Sequence, residues 1–119
     1  MTWKPETLDN LRFELRRGSV VLAVLAALRR EQYGYTLRKA LSAHGMEMDE
    51  GTLYPLLRRL ETQGVLSSLW REDEKRNKRF YRLTVEGAHV LDRLLAEWRN
   101  LNLSVQTIAS EHNEGESEQ

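Results

Sequence analysis

Apolar positions recur along this chain at helical spacing in five stretches and alternate in two others. The clearest periodic stretch is Met48–Leu66, MDEGTLYPLLRRLETQGVL. Leu53, Leu56, Leu57 and Leu60 stand at i, i+3, i+4 and i+7, the spacing of one buried helix face. Asp49 is placed to cap that helix through the Thr52 N–H, and Met48 and Leu53 take the two positions of a hydrophobic staple. Gly64 marks the stop. The opposite face carries Gly51, Pro55, Arg58 and Thr62, with Thr52 and Arg59 on one flank and Tyr54 on the other. Pro55 lies past the first turn, so it removes one helical hydrogen bond and should bend the start of the helix. Small residues followed by arginines suit close approach to a DNA groove.

The other elements are read from the same patterns. Leu8, Leu11 and Leu15 form a thin stripe, predicting an outer helix from Pro5 or Glu6 to Arg17 that is laid on a neighbour. Gly18 is expected to close it and Ser19 to cap the next one. Val20 to Arg30 is apolar nearly all round and predicts a buried central helix. Tyr33-Gly34-Tyr35 reads as a turn, followed by a helix with Leu37, Ala40 and Leu41 inward and Gly45 as its stop. Val65–Arg71 and Arg79–Thr84 alternate as two strands, joined by the charged segment EDEKRNK. Thr84 caps a last long helix, in which Leu91, Leu94, Trp98, Leu101, Val105 and Ile108 step by three and four.

These elements predict a mainly α (α+β) fold: a winged helix-turn-helix with a two-stranded wing and a long C-terminal dimerisation helix. The expected parts are an N-terminal helix over 1–18, a DNA-binding domain over 19–86, a dimerisation helix over 87–110 and a disordered acidic tail over 111–119. A heptad seam along the last helix is most simply covered by a second copy of itself, although the chain's own first helix is another candidate cover.

Composition refines this picture. With 119 residues, 40% hydrophobic and 30% charged, the chain makes one soluble domain with a modest core. There is no cysteine, hence no disulfide or thiolate chemistry. The longest apolar run, Val20–Leu28, falls far short of the roughly 20 residues that span a bilayer, and no signal peptide is evident, so a cytoplasmic location is expected. The zero net charge conceals an asymmetry. Residues 1–86 carry 16 Lys and Arg against 12 Asp and Glu, and residues 87–119 carry 2 against 6.

At the level of motifs, LRRGS, YGY, GTLYPLLRRLETQG and RFYRLTVEG, followed by a pairing helix, resemble the PadR family of bacterial transcriptional regulators over roughly residues 11–108. The single C-terminal helix is similar to the short branch of that family, and LSSLWREDEKRNKRFYRLT with AEWRN looks like its multidrug-responsive members. The resemblance implies a dimeric winged-helix repressor that leaves DNA when a ligand changes the spacing of its two heads. It implies DNA contacts from Thr52, Tyr54, Arg58 and Arg59 on the recognition helix, from Tyr35 and Lys39 near the preceding helix, and from Arg76, Lys78 and Arg79 on the wing. It also implies that Trp98 lines a pore between subunits and stacks on a planar aromatic effector.

Other classes fare worse. His44, His89 and His112 have no metal-ligand spacing, Ser67 and Ser68 have no His/Asp pairing signal, and no glycine-rich phosphate loop is present, so neither an enzyme nor a bound cofactor is expected. The rival binding class is a winged-helix adaptor that meets a protein instead of DNA. The expected function is therefore a homodimeric repressor bound to an inverted-repeat operator and released by a small aromatic ligand.

Overall fold

The computed structural model describes the backbone of residues 3–117 and the side chains through Glu111. In chain order the elements are α1 (Pro5–Ala27), β1 (Gln32–Tyr33), α2 (Gly34–Ser42), α3 (Glu50–Thr62), β2 (Leu66–Asp73), β3 (Arg76–Leu83) and α4 (Val85–Ser117). The strands form one antiparallel sheet in the order β1-β3-β2.

The core lies where the second half of α1 meets α2, α3 and the root of α4. Val24, Leu25 and Leu28 pack with Leu37, Leu41 and Leu91, and with Leu53, Leu56, Leu57 and Leu60 of α3. The four leucines picked out by periodicity are thus the buried face of α3, and Pro55 sits inside the helix without ending it. Thr84 caps α4 as expected: its hydroxyl accepts from Gly87 N–H at 2.9 Å and donates to the Gly64 carbonyl at 2.8 Å. Gly87 permits that junction, because a Cβ there would overlap the carbonyl oxygen of Val65.

Several expectations need correction. The two helices separated at Gly18 are one helix, α1. A glycine stop requires a left-handed residue, which Gly45 and Gly64 supply with φ of 77° and 84°. Gly18 keeps a helical φ, and an isolated glycine costs a helix only about 1 kcal/mol, less than breaking its hydrogen-bond ladder. The YGY segment is not only a turn: Gln32 and Tyr33 pair with Tyr81 and Phe80 as a third strand. The charged segment is mostly strand as well. Only Glu74 and Lys75 turn, at φ of 52° and 67°, the doubly left-handed geometry that matches strand twist. Finally, α4 runs to Ser117, so the tail expected from residue 111 is helical that far, with no proline to stop propagation. Residues 118 and 119 of that tail lie outside the described residues.

The helices reach well beyond the core. The radius of gyration is 18.4 Å, against about 14 Å for a compact chain of this length. Leu11, Phe13 and Leu15 of α1 are exposed, as are Leu101, Val105 and Ile108 of α4. Leu91 departs from the expected seam: at 0% exposure it belongs to the chain's own core and has no surface to offer a partner. Leu94 is partly buried against the same core. The exposed stripe therefore begins at Trp98, and the chain's own first helix covers only the root of the seam.

Candidate nucleic-acid interface

Helix α3 is held by its cap and by its neighbour α2. Asp49 accepts from Thr52 N–H at 2.8 Å. Hydrogen bonds from Thr52, side chain first and backbone second, hold the Asp49 carboxyl below the usual carboxylate range. Arg38 of α2 reaches Glu50 at 3.0 Å and the Met48 carbonyl at 3.4 Å, bracketing the same turn. Tyr54 is half-buried, its ring lying over Gly34 at the start of α2, where a Cβ would overlap the phenol. The glycine of YGY is thus a packing requirement set by α3.

The outer face of α3 is open. Thr52, Arg58 and Arg59 are exposed, and among the described residues neither arginine has a carboxylate within ion-pair distance. The two arginines address different flanks. Arg59 and Thr52 line a groove of about 650 Å³ against α1, whose bank carries Arg12, Arg16 and Arg17. Arg58 lines a crevice of about 400 Å³ against the β2–β3 hairpin, together with Tyr54, Trp70 and Asn77. On α2, Tyr35 is exposed and Lys39 Nζ lies 5.8 Å from its ring centroid, so the expected pair is brought together one helical turn apart.

The hairpin cations are less free than the sequence implied. Arg76 is exposed beside the turn. Lys78 contacts Asp73 at 3.1 Å and the Tyr33 hydroxyl at 3.4 Å, and lies 4.4 Å from the Tyr33 ring centroid. The Asp73 hydrogen bond, more than any other contact, raises its pKa above the ordinary lysine value. Arg79 donates to Glu61 of α3 at 2.8 Å and to Ser68 Oγ at 3.0 Å, while Ser68 donates to Glu61 at 2.6 Å. This closed ring ties the hairpin to the last turn of α3. Arg71, passed over in the sequence, pairs with Glu31 at 2.8 Å and lies over Phe80 at 3.8 Å. Trp70 and Asn77 were also passed over. A large indole directly before the charged stretch of the hairpin was the available signal.

Trp98 is 45% exposed, at the start of the uncovered stripe of α4, and Leu101 beyond it is 65% exposed. No helix of the described residues is long and apolar enough to cross a membrane, and no group of three or more His, Asp or Glu among them is placed to hold a metal.

A short helix, a turn, a second helix with an open polar face and a β-hairpin beside it define a winged helix-turn-helix regulator. The sequence profile described as "Transcriptional regulator PadR-like family" matches residues 21–93. Transcriptional regulator Rv3488 of Mycobacterium tuberculosis is 42% identical over 79 residues, 66% of this chain and 74% of that protein. The crystal structure of a PadR family transcriptional regulator from Eggerthella lenta superposes with a TM-score of 0.83 at 42% identity, covering 87% of this chain and 92% of the other. A PadR-like transcription factor from Bacteroides fragilis gives 0.70 at 32% identity, covering 83% and 98%. This chain belongs to the PadR-like family: it is a DNA-binding transcriptional regulator and not an enzyme.

Proposed function

We propose that the chain acts as a homodimeric repressor whose two α3 helices enter successive major grooves of an inverted-repeat operator, about 34 Å apart. The observation that carries this reading is the outer face of α3, where Thr52, Arg58 and Arg59 stand exposed. Arg58, central on that face, is assigned to base edges, and Arg59, on its flank, to phosphates on the α1 side. Tyr35 and Lys39 of α2 extend the phosphate contacts. Arg76 carries the hairpin's contact with the backbone. Lys78 and Arg79 are already paired with Asp73 and Glu61, so they present N–H donors to the backbone while adding little net charge. Tyr54 contributes its half-exposed edge.

The dimer reading rests on the uncovered stripe of Trp98, Leu101, Val105 and Ile108, with Leu94 at its buried margin. An effector reading follows from Trp98. Beside its symmetry mate, a half-exposed indole offers a face to a planar aromatic ligand, and a change in subunit spacing would release the operator.

The decisive test is selection of bound duplexes from a random library at about 150 mM salt, with Arg58→Ala in parallel. An inverted repeat that is enriched by the native chain and lost in the variant is the expected result. Weak, salt-sensitive retention without any sequence preference, unchanged in the variant, would instead favour an architectural DNA binder or a winged helix whose partner is a protein. For the effector, planar aromatic compounds should quench fluorescence in the native protein and bind poorly to Trp98→Ala. Equal binding by both proteins would remove the pore.

A further inference from the structure

The recognition helix and the hairpin account for two grooves of a duplex, but a sugar–phosphate strand must pass between them. The crevice between α3 and the hairpin lies on that path. Four of the residues lining it carry hydrogen-bond donors: Arg58 a guanidinium, Asn77 an amide, Tyr54 a hydroxyl and Trp70 an indole N–H. Behind them stands Arg79, with two of its five N–H donors engaged by Glu61 and Ser68. Two carboxylates near the crevice are already engaged, Glu61 by Arg79 and Ser68 and Asp73 by Lys78. The exposed Glu72, cross-strand from Asn77, sets one negative charge against that of Arg58, so the site relies on hydrogen-bond donors and the indole more than on net charge.

Trp70 is the feature the DNA reading has so far left unused. It is 65% exposed, and its strand register places it opposite Arg79, on the face of the hairpin that carries Ser68 and Tyr81 toward α3. The Arg79 guanidinium carbon lies 5.8 Å from its ring centroid, which holds the indole at the crevice mouth. Leu69, the preceding residue, is 47% exposed on the opposite face.

We propose that this crevice seats the sugar–phosphate strand running between the two grooves, with Trp70 as the binding residue. Its ring packs on a deoxyribose and its N–H donates to a phosphate oxygen. Glu61, which touches no DNA, is the positioning residue that orients Arg79 beneath it. The proposal rests on the DNA reading above and adds a site to it. Because the contact is to backbone, it is independent of sequence.

The test uses the full chain and a fluorescein-labelled random-sequence duplex pool, followed by anisotropy across a salt series. Trp70→Ala should weaken binding about tenfold at every salt concentration, as loss of a hydrogen bond to a charged group predicts. The slope against log salt should stay unchanged, because an indole carries no charge. Trp70→Phe should fall between, and Leu69→Ala should bind like the native chain. In protein labelled with 5-fluorotryptophan, the fluorine resonance that Trp70→Phe removes should shift on saturation with the duplex pool. Native-like affinity of Trp70→Ala, an equal loss in Leu69→Ala, or a Trp70 resonance unmoved by bound DNA would each overturn the crevice while leaving the DNA reading standing. Failure of the native chain to bind the pool at any salt would overturn both.

Discussion

Arg58 and Arg59 are adjacent in the chain, yet one looks into the hairpin crevice and the other toward α1. Their replacement by alanine should therefore differ in kind. Arg58→Ala should cost about 1–3 kcal/mol and relax base preference, whereas Arg59→Ala should weaken all sequences alike. Among the wing cations, the ion pair with Asp73 already restrains Lys78. Arg76→Ala should flatten the salt dependence of binding more than Lys78→Ala does, and titrations across salt concentrations check the order. Gly34→Ala pushes a methyl into the Tyr54 ring, which should destabilise the fold by about 1–3 kcal/mol in chemical denaturation. Asp49 sets a pH dependence. Its carboxyl is depressed in the fold, so its stabilisation is present above the ordinary aspartate value and is lost as pH falls through the lowered one. The margin by which the native chain outlasts Asp49→Asn in thermal melts should shrink over that acidic range.

The helix α3 was legible because its determinants are local: a cap three residues from its donor, leucines at fixed spacing and a left-handed glycine. The ends of β2 and β3 were not, since charged residues near a hairpin tip read equally well as loop until both turn residues are known to be left-handed. Strand β1 has two residues and exists only because Phe80 and Tyr81 pair with it. The ring of Glu61, Ser68 and Arg79 was invisible for the same reason: its members are separated by up to 18 positions in the chain. Because the ring joins two elements, its parts should not act independently. Glu61→Gln and Arg79→Ala should each reduce DNA affinity, and the double variant should lose little beyond the worse single one. Simple additivity in that cycle would mean that Arg79 contacts DNA without help from Glu61.

For the whole molecule, the boundary between core and uncovered stripe falls within α4. Leu91→Ala should lower the stability of each chain by about 2–5 kcal/mol, as for any buried leucine. Leu101→Glu or Ile108→Glu, on exposed positions, should leave each chain folded but abolish association in sedimentation equilibrium. Unchanged mass in either glutamate variant would remove this stripe as the subunit contact. The sequence blurred this boundary because one unbroken heptad pattern runs from Leu91 to Ile108, and periodicity does not say which partner covers which turn.

Gly87 lets α4 touch the first strand residue's neighbour, Val65, with no side chain between them. That contact is a fulcrum placed at one end of a 33-residue rod. At 1.5 Å per residue the rod is about 50 Å long, so a tilt of about 5° at the fulcrum sweeps its far end by about 4 Å. Read in the other direction, displacing the tip by the thickness of one aromatic ring turns the root by only a few degrees. The neighbours of Gly87 are the Val65 carbonyl and a Leu83 methyl, so a tilt there presses on the adjoining ends of β2 and β3. A bulkier residue at this position would act as a shim, resetting the angle between rod and hairpin.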